Sequence, residues 1–160
     1  MRSRNRLSWL LLAGLLAFGY AAAARSADPP PLQDLATYPR TRLEIKSAQG
    51  THVFQVWLAD TPERQEQGLM FVRELAPDQG MLFTHCCTGI WMRNTYIELD
   101  IVFLTADGRI RKIAERARPF DETTLGADAP NAAVVELKGG EAALLKLKPG
   151  DKVSWEAPGR

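Results

Sequence analysis

The first clear pattern in the chain is a pair of alternating segments separated by a turn. Apolar Leu43 and Ile45 alternate with charged residues, and Gln49-Gly50 follows them. Residues 52–59 then return with apolar side chains at alternating positions, and Val53 and Trp57 add apolar side chains on the opposite face. This spacing predicts a β-hairpin whose second strand is buried on both sides.

Segments in which apolar and polar residues alternate, and short apolar runs, continue toward the C-terminus. They predict four more strands, at residues 100–104, 110–114, 132–137 and 152–155. Asp107-Gly108 favours the tight turn of a hairpin between the first two of these strands. Lys148-Pro149-Gly150-Asp151 places Pro and Gly at the central positions of a type II turn. Residues 119–131 are rich in Gly, Pro, Asp and Thr, which predicts a loop.

Two short helices are predicted among the strands. Thr61 is a good N-cap, Pro62 suits the first helical position, and Gly68 is a natural stop. Residues 141–146 form the second helix, with basic side chains near its C-terminal end. Strand hairpins dominate, and strands and helices do not alternate regularly. The pattern therefore predicts an α+β fold that is mainly antiparallel β, either a compact sheet or a partly closed barrel, with two short helices.

The N-terminus has the composition of a secretory signal. Arg2, Arg4 and Arg6 precede an almost wholly apolar run at residues 9–18, and Ala22-Ala23-Ala24 offers small residues for cleavage. We expect residues 1–24 to be a signal peptide, 25–40 a disordered linker and 41–158 a single domain. The protein should then be exported to the periplasm or the exterior. The alternative is an uncleaved anchor, the one route by which a membrane would be a partner.

Charge argues against nucleic acid as a partner. The full chain has 20 Lys and Arg against 19 Asp and Glu. The signal removes three arginines and no acids, so the balance becomes 17 − 19 = −2. Binding to a phosphate backbone needs a basic excess that this domain lacks. The expected partner is a small ligand or another extracytoplasmic protein.

Distinctive residues in one order point to a known family. The motifs run from Arg64 and Gly68-Leu69-Met70 through Arg73, Gly80-Met81-Leu82-Phe83, Trp91-Met92-Arg93-Asn94-Thr95 and Leu99-Asp100-Ile101. Together they resemble the domain-of-unknown-function 192 family of small, often exported prokaryotic proteins. The resemblance implies a fold and a candidate binding surface, but it does not imply a reaction. Two features depart from the family pattern, namely Glu98 where proline is common and the tripeptide His85-Cys86-Cys87.

The polar and aromatic residues of these motifs are the candidate ligand site. They are Arg64, Met70, Arg73, Trp91, Met92, Asn94 and Thr95. An aromatic ring with amide, hydroxyl and guanidinium groups could bind a carboxylate or a sugar. The structural alternative is that Asn94 and Thr95 hold a turn and that the arginines form ion pairs.

A redox or metal function is the rival hypothesis. His85, Cys86 and Cys87 could carry a strained disulfide between neighbouring cysteines, or bind copper or zinc. The structural alternative is two small side chains on opposite faces of a strand. Asp100 and Glu136 could pair as carboxylates, but neither has a visible partner in the sequence. The sequence contains no recognisable set of catalytic residues, so we do not predict an enzyme. We also predict no cofactor.

Overall fold

A computed structural model gives the structure of the chain and describes residues 32–85, 88–127 and 129–157. The predicted signal peptide, Cys86 and Cys87 lie outside the described residues. The elements in chain order are β1 (Arg40–Ser47), β2 (Gly50–Ala59), α1 (Pro62–Gln67), β3 (Gln79–Thr84), β4 (Gly89–Ile90), β5 (Leu99–Leu104), β6 (Ile110–Ala117), β7 (Leu125–Gly126), β8 (Ala133–Lys138), α2 (Glu141–Leu144) and β9 (Lys152–Trp155). A 3-10 helix, Leu35–Thr37, precedes β1.

Seven of the strands form one curled sheet in the order β6-β5-β8-β3-β2-β1-β9. All neighbours in it are antiparallel except β2 and β3, which α1 connects in parallel. The two edge strands meet at one end, where Ile110 N donates to Asp151 O at 2.9 Å and Val153 N donates to Gly108 O at 2.8 Å. The sheet is therefore a half-barrel, and the predicted α+β, mainly antiparallel fold class is confirmed.

Both faces of the sheet are covered by apolar residues. The first core lies on the α2 side and includes Leu43, Val56, Val102, Val135, Leu137 and Ala142. The second core lies on the opposite face and includes Trp57, Met81, Phe83, Met92, Ile101 and Phe103. Alternate residues of β2 enter both cores, because side chains of a strand point to opposite faces in turn. Burial of β2 on both sides is thus confirmed along its C-terminal half, whereas Val53 near its start is exposed.

The local turn and cap signals behave as the sequence predicts. Gly50 opens the return strand of the first hairpin with a φ of 130°. The hydroxyl of Thr61 accepts from Arg64 N at 3.3 Å, and Gly68 ends α1 with a φ of 51°. The second helix is shorter than predicted and ends at Leu144, since Lys146 adopts a left-handed φ of 52°.

Residues 32–39 of the predicted linker are ordered, and residues 25–31 lie outside the described residues. Asp34 caps the 3-10 helix by accepting from Ala36 N at 2.9 Å. Tyr38 is buried, and the guanidinium of Arg64 lies 5.2 Å from its ring centroid. The folded unit therefore starts before residue 41, because Tyr38 contributes its ring to the second core.

Three further strands, β3, β4 and β7, extend the predicted set. β3 lies between β2 and β8, in the middle of the sheet. The predicted loop at residues 119–131 contains β7, which pairs with β4 through Ile90 and Leu125. Within the described residues, no helix has the length and apolar character needed to cross a membrane.

Candidate functional site

A cavity of about 90 Å³ lies on the face of the sheet that carries the second core. The described residues that line it come from the end of α1, the turn after it, β3, β4, β8 and residues 91–95. They are Gln65, Glu66, Gln67, Gly68, Leu69, Met70, Phe83, Gly89, Ile90, Trp91, Thr95 and Glu136. Glu66 and Trp91 are the exposed residues of this lining.

Glu136 supplies the floor of the cavity. In the register of the sheet it lies opposite Met81 on one side and Ile101 on the other, so its side chain enters the second core. Only 4% of the residue is exposed. The backbone amide of Leu69 donates a hydrogen bond to the carboxyl group. Its Oε2 has no hydrogen-bond partner among the described residues.

Burial dominates the acid–base behaviour of Glu136. Removal from water disfavours the charged form of a carboxyl group more than the Leu69 amide favours it. The pKa of Glu136 is therefore raised to about 8. At neutral pH the group is mainly a neutral acid that can donate a hydrogen bond. A cation placed beside it would favour its ionised form.

The glycine at the end of α1 leaves room beside this carboxyl group. A Cβ on Gly68 would lie 3.8 Å from Glu136 Oε2 and 3.3 Å from Cζ of Phe83. The φ of 51° at Gly68 also turns the chain so that the Leu69 amide reaches Glu136. A left-handed φ is easiest for glycine, so the helix stop and the carboxyl contact depend on the same residue.

Asp100 does not share the site of Glu136. Asp100 lies opposite Leu137 in the register, so it faces the first core while Glu136 faces the second. Its Oδ1 accepts from the backbone amides of Arg116 at 2.8 Å and Gly140 at 3.0 Å. Its Oδ2 accepts from Ala142 N at 2.7 Å. Asp100 therefore connects the start of α2 to the sheet through hydrogen bonds. The carboxyl groups of Asp100 and Glu136 do not form a pair.

Three of the residues predicted from the sequence meet at the cavity. Met70, Trp91 and Thr95 all line it. Trp91 is 41% exposed and forms part of the rim, with the guanidinium carbon of Arg93 5.4 Å from its ring centroid. Thr95 is buried, and its hydroxyl donates to Arg93 O at 3.2 Å.

The other four predicted residues do not line the cavity. Arg64 forms an ion pair with Asp60 at 2.7 Å. Met92 is fully buried in the second core. Asn94 adopts a left-handed φ of 53°, and its carbonyl oxygen accepts from Phe71 N at 2.9 Å. Its side-chain amide lies 3.9 Å from Met70 Sδ, so Asn94 acts on the cavity only through Met70.

Arg73 belongs to a different part of the surface. Its guanidinium carbon lies 4.4 Å from the ring centroid of Tyr96. Phe71 and Phe120 pack on the same ring, with centroid distances of 6.2 and 5.1 Å. Arg73 also lines a separate cleft of about 270 Å³ with Glu98 and Lys138. Arg64 and Arg73 thus make different contacts, and neither contributes a guanidinium to the cavity.

The rival cluster is only partly described. His85 follows β3, is exposed and has a left-handed φ of 54°. Its two neighbours, Cys86 and Cys87, lie outside the described residues. In the part of the chain that the structure describes, no three His, Cys, Asp or Glu side chains gather as metal ligands. The redox and metal hypothesis stays a prediction.

Fold and cavity together define a class of small half-barrel α+β protein in which a buried acid faces a small cavity. The chain belongs to the domain-of-unknown-function 192 family, described as an uncharacterised ACR, whose model matches residues 44–155. The resemblance drawn from the motifs is thereby confirmed.

Two solved structures are similar to this chain. A protein of unknown function from Novosphingobium aromaticivorans DSM 12444 is 42% identical, with a TM-score of 0.74 over 81% of this chain and 94% of that chain. A protein from Sinorhizobium meliloti 1021, described as "a putative transcription regulator", is 42% identical, with a TM-score of 0.70 over 74% of this chain and 95% of that chain. The comparison with curated proteins found no match.

Glu136 is the functional candidate that the sequence analysis considered only as a possible partner of Asp100 and did not assign to the ligand site. Glu136 appears in the sequence as one charge inside the apolar run at residues 132–137. A charged residue in a strand with both faces covered must either be paired or shift its pKa. The signal was present, but only the three-dimensional arrangement shows that its carboxyl group meets a cavity.

Proposed function

We propose that this protein is an exported binding or accessory domain that holds a small polar ligand in the cavity above Glu136. The observation that carries the proposal is the unpaired Oε2 of a buried carboxyl group at the cavity floor. Buried polar atoms in proteins nearly always have hydrogen-bond partners, and exceptions often mark functional sites. A ligand that fills the cavity would supply the missing partner.

The shape and lining of the cavity support the same proposal. Apolar walls with a few convergent polar groups are typical of small-molecule sites. Leu69, Met70, Phe83 and Ile90 supply the apolar walls, and Trp91 gives the rim a large ring. The volume of about 90 Å³ restricts the ligand, or the part of it that enters, to a few non-hydrogen atoms.

Export is part of the proposal and rests on the N-terminal sequence. The basic start, the apolar run at residues 9–18 and the three alanines at 22–24 have the order of a cleavable signal. The domain would then meet its ligand outside the cytoplasm.

A variant at the rim tests ligand binding. The purified protein is screened with small polar compounds by thermal shift, since a ligand that binds only the folded state raises the melting temperature. Trp91→Ala should lower the affinity for any hit about tenfold or more and leave the melting temperature without ligand nearly unchanged. Phe120→Ala is the matched control, because Phe120 is an exposed aromatic residue that does not line the cavity.

Two results would contradict the proposal. One is a hit whose affinity is the same in Trp91→Ala and in the unmodified protein. The other is a screen in which no compound that fits the cavity raises the melting temperature at millimolar concentration.

A further inference from the structure

The ionisable side chains among the described lining residues are acidic, while the guanidinium of Arg93 lies outside the lining on the ring of Trp91. Among the described lining residues, Glu66 and Glu136 are the only ionisable side chains, and none is Lys, Arg or His. Arg64 follows Glu63 on α1, but its guanidinium pairs with Asp60 and covers Tyr38. Because Glu136 is mainly neutral at neutral pH, the carboxylate of Glu66 is the one charged group among the described lining residues, and it favours a cation over an anion.

The carboxyl group at the floor requires a hydrogen-bond donor rather than an acceptor once it is ionised. The Leu69 amide already donates to Glu136, and Oε2 remains without a partner among the described residues. A hydrogen bond from a charged donor to a carboxylate is roughly twice as strong as a neutral one. The low polarity of the surrounding side chains strengthens such a contact further.

The walls above the carboxyl group also suit a cation with a short apolar tail. Met70 supplies a polarisable thioether and Phe83 an aromatic ring to the lining, and a short alkyl group can pack against both. The guanidinium of Arg93 already lies 5.4 Å from the ring centroid of Trp91. Since Arg93 already contacts this ring, the polar contact of a bound cation is with Glu136 at the floor and not with Trp91.

We infer that the cavity binds a small primary ammonium ion, whose nitrogen donates a hydrogen bond to Oε2 of Glu136 and whose alkyl group lies against Leu69, Met70 and Phe83. The inference rests on the proposed binding function and names its ligand class. The protonated acid releases its proton to solvent when the ammonium ion enters, and the complex contains a carboxylate and an ammonium group. No covalent bond changes.

Three probes of nearly equal size test the charge of the ligand. Propylammonium, 1-propanol and propionate are titrated into the purified protein by calorimetry at constant ionic strength. Propylammonium should bind about tenfold or more tightly than 1-propanol, and propionate should bind more weakly than either. Because the acid must ionise, the affinity for propylammonium should rise by up to about tenfold per pH unit between pH 6 and 8. The affinity for 1-propanol should not rise over that range.

Matched carboxyl variants locate the contact. Glu136→Gln keeps the shape of the side chain and removes its charge, so it should lower the affinity for propylammonium about tenfold and leave that for 1-propanol within about twofold. Glu66→Gln removes the exposed acid at the rim and should change the affinity for propylammonium by less than about threefold.

The outcomes separate this inference from the proposed function. If 1-propanol or propionate binds as tightly as propylammonium, the ammonium inference is wrong and the cavity remains a ligand site. If the three probes and the wider screen all fail to bind, the proposed function is wrong as well. Equal loss of propylammonium affinity in both carboxyl variants would place the cation at the rim and overturn the contact with Glu136.

Discussion

Glu136 occupies a position where a strand of the central sheet would ordinarily carry an apolar side chain. Its neighbours across the sheet are Met81 and Ile101, and both belong to the second core. The apolar run around it made the strand predictable, since short runs of Val and Leu favour buried strands. The cavity was not predictable, because it depends on α1 and on the turn after Gly68 meeting β8 across long sequence separations.

The raised pKa of Glu136 predicts a pH dependence of stability. Its pKa is about 8 in the folded state against an ordinary value of 4.5, so the folded state holds a proton that the unfolded state loses. Stability is therefore greatest below pH 4.5 as far as this group is concerned, and falls as the pH rises toward 8. From pH 5 to pH 9 the loss should be on the order of 3–4 kcal/mol.

Urea unfolding at a series of pH values measures this effect. Glu136→Gln should remove most of the loss, because the amide does not titrate, and the variant should be more stable than the unmodified protein at pH 9. Glu66→Gln serves as the exposed control and should keep the full pH dependence. If the free energy of unfolding changes with pH in the same way in the unmodified protein and in Glu136→Gln, burial of this acid does not cause the pH dependence.

At the scale of elements, the hairpins were predictable because their signals are local. Gly50 and the pair Asp107-Gly108 fix the turns, and alternation in the flanking residues fixes which side chains enter the cores. The position of β3 was not predictable in the same way. Its pairing with β2 is parallel and its pairing with β8 joins distant segments, so no neighbouring turn specifies either.

Gly80 shows how closely β3 and β8 approach. A Cβ at this position would lie 2.4 Å from the backbone oxygen of Glu136, which is too close for any real contact. Gly80→Ala should therefore lower the free energy of unfolding by about 3 kcal/mol, because the two strands must move apart. Since the strands carry Phe83 and Glu136, the variant should also lose ligand affinity.

Thermal and urea unfolding of Gly80→Ala measure this cost. Gly150→Ala is the control, because Gly150 has a left-handed φ of 96° but no atom within 4 Å of the added Cβ. Its cost should be about 1 kcal/mol from backbone strain alone. If both alanine variants lose the same stability, the contact between β3 and β8 is not the cause.

At the scale of the whole molecule, the folded unit extends beyond the part of the chain that the family model matches. The family match covers residues 44–155, and the structure adds Tyr38 and the 3-10 helix to the folded unit. The backbone of Gln33 is held against α1 by the side chain of Gln67, with hydrogen bonds of 2.7 and 2.8 Å. Gln33 therefore lies beside Gln67, which is one of the residues that line the cavity.

Cleavage of the signal is the prediction at this scale. The protein isolated from the extracytoplasmic fraction of its host should begin at Arg25, because Ala22-Ala23-Ala24 presents small residues to the peptidase. Intact-mass measurement and N-terminal sequencing identify the first residue. Replacing Ala22 and Ala24 with arginine should leave the precursor at full length. A mature protein that retains Met1 would instead support the uncleaved anchor.

The position of β9 has a consequence for how the chain folds. The last strand pairs with β1 and meets the start of β6, and the hydroxyl of Thr41 donates to Glu156 O across 115 residues of sequence. The first hairpin therefore keeps an unpaired edge until β9 pairs with β1. Contacts between such distant segments slow folding. The sheet consequently closes only when the two ends of the folded unit meet, and until then the free edge of β1 can pair with another chain.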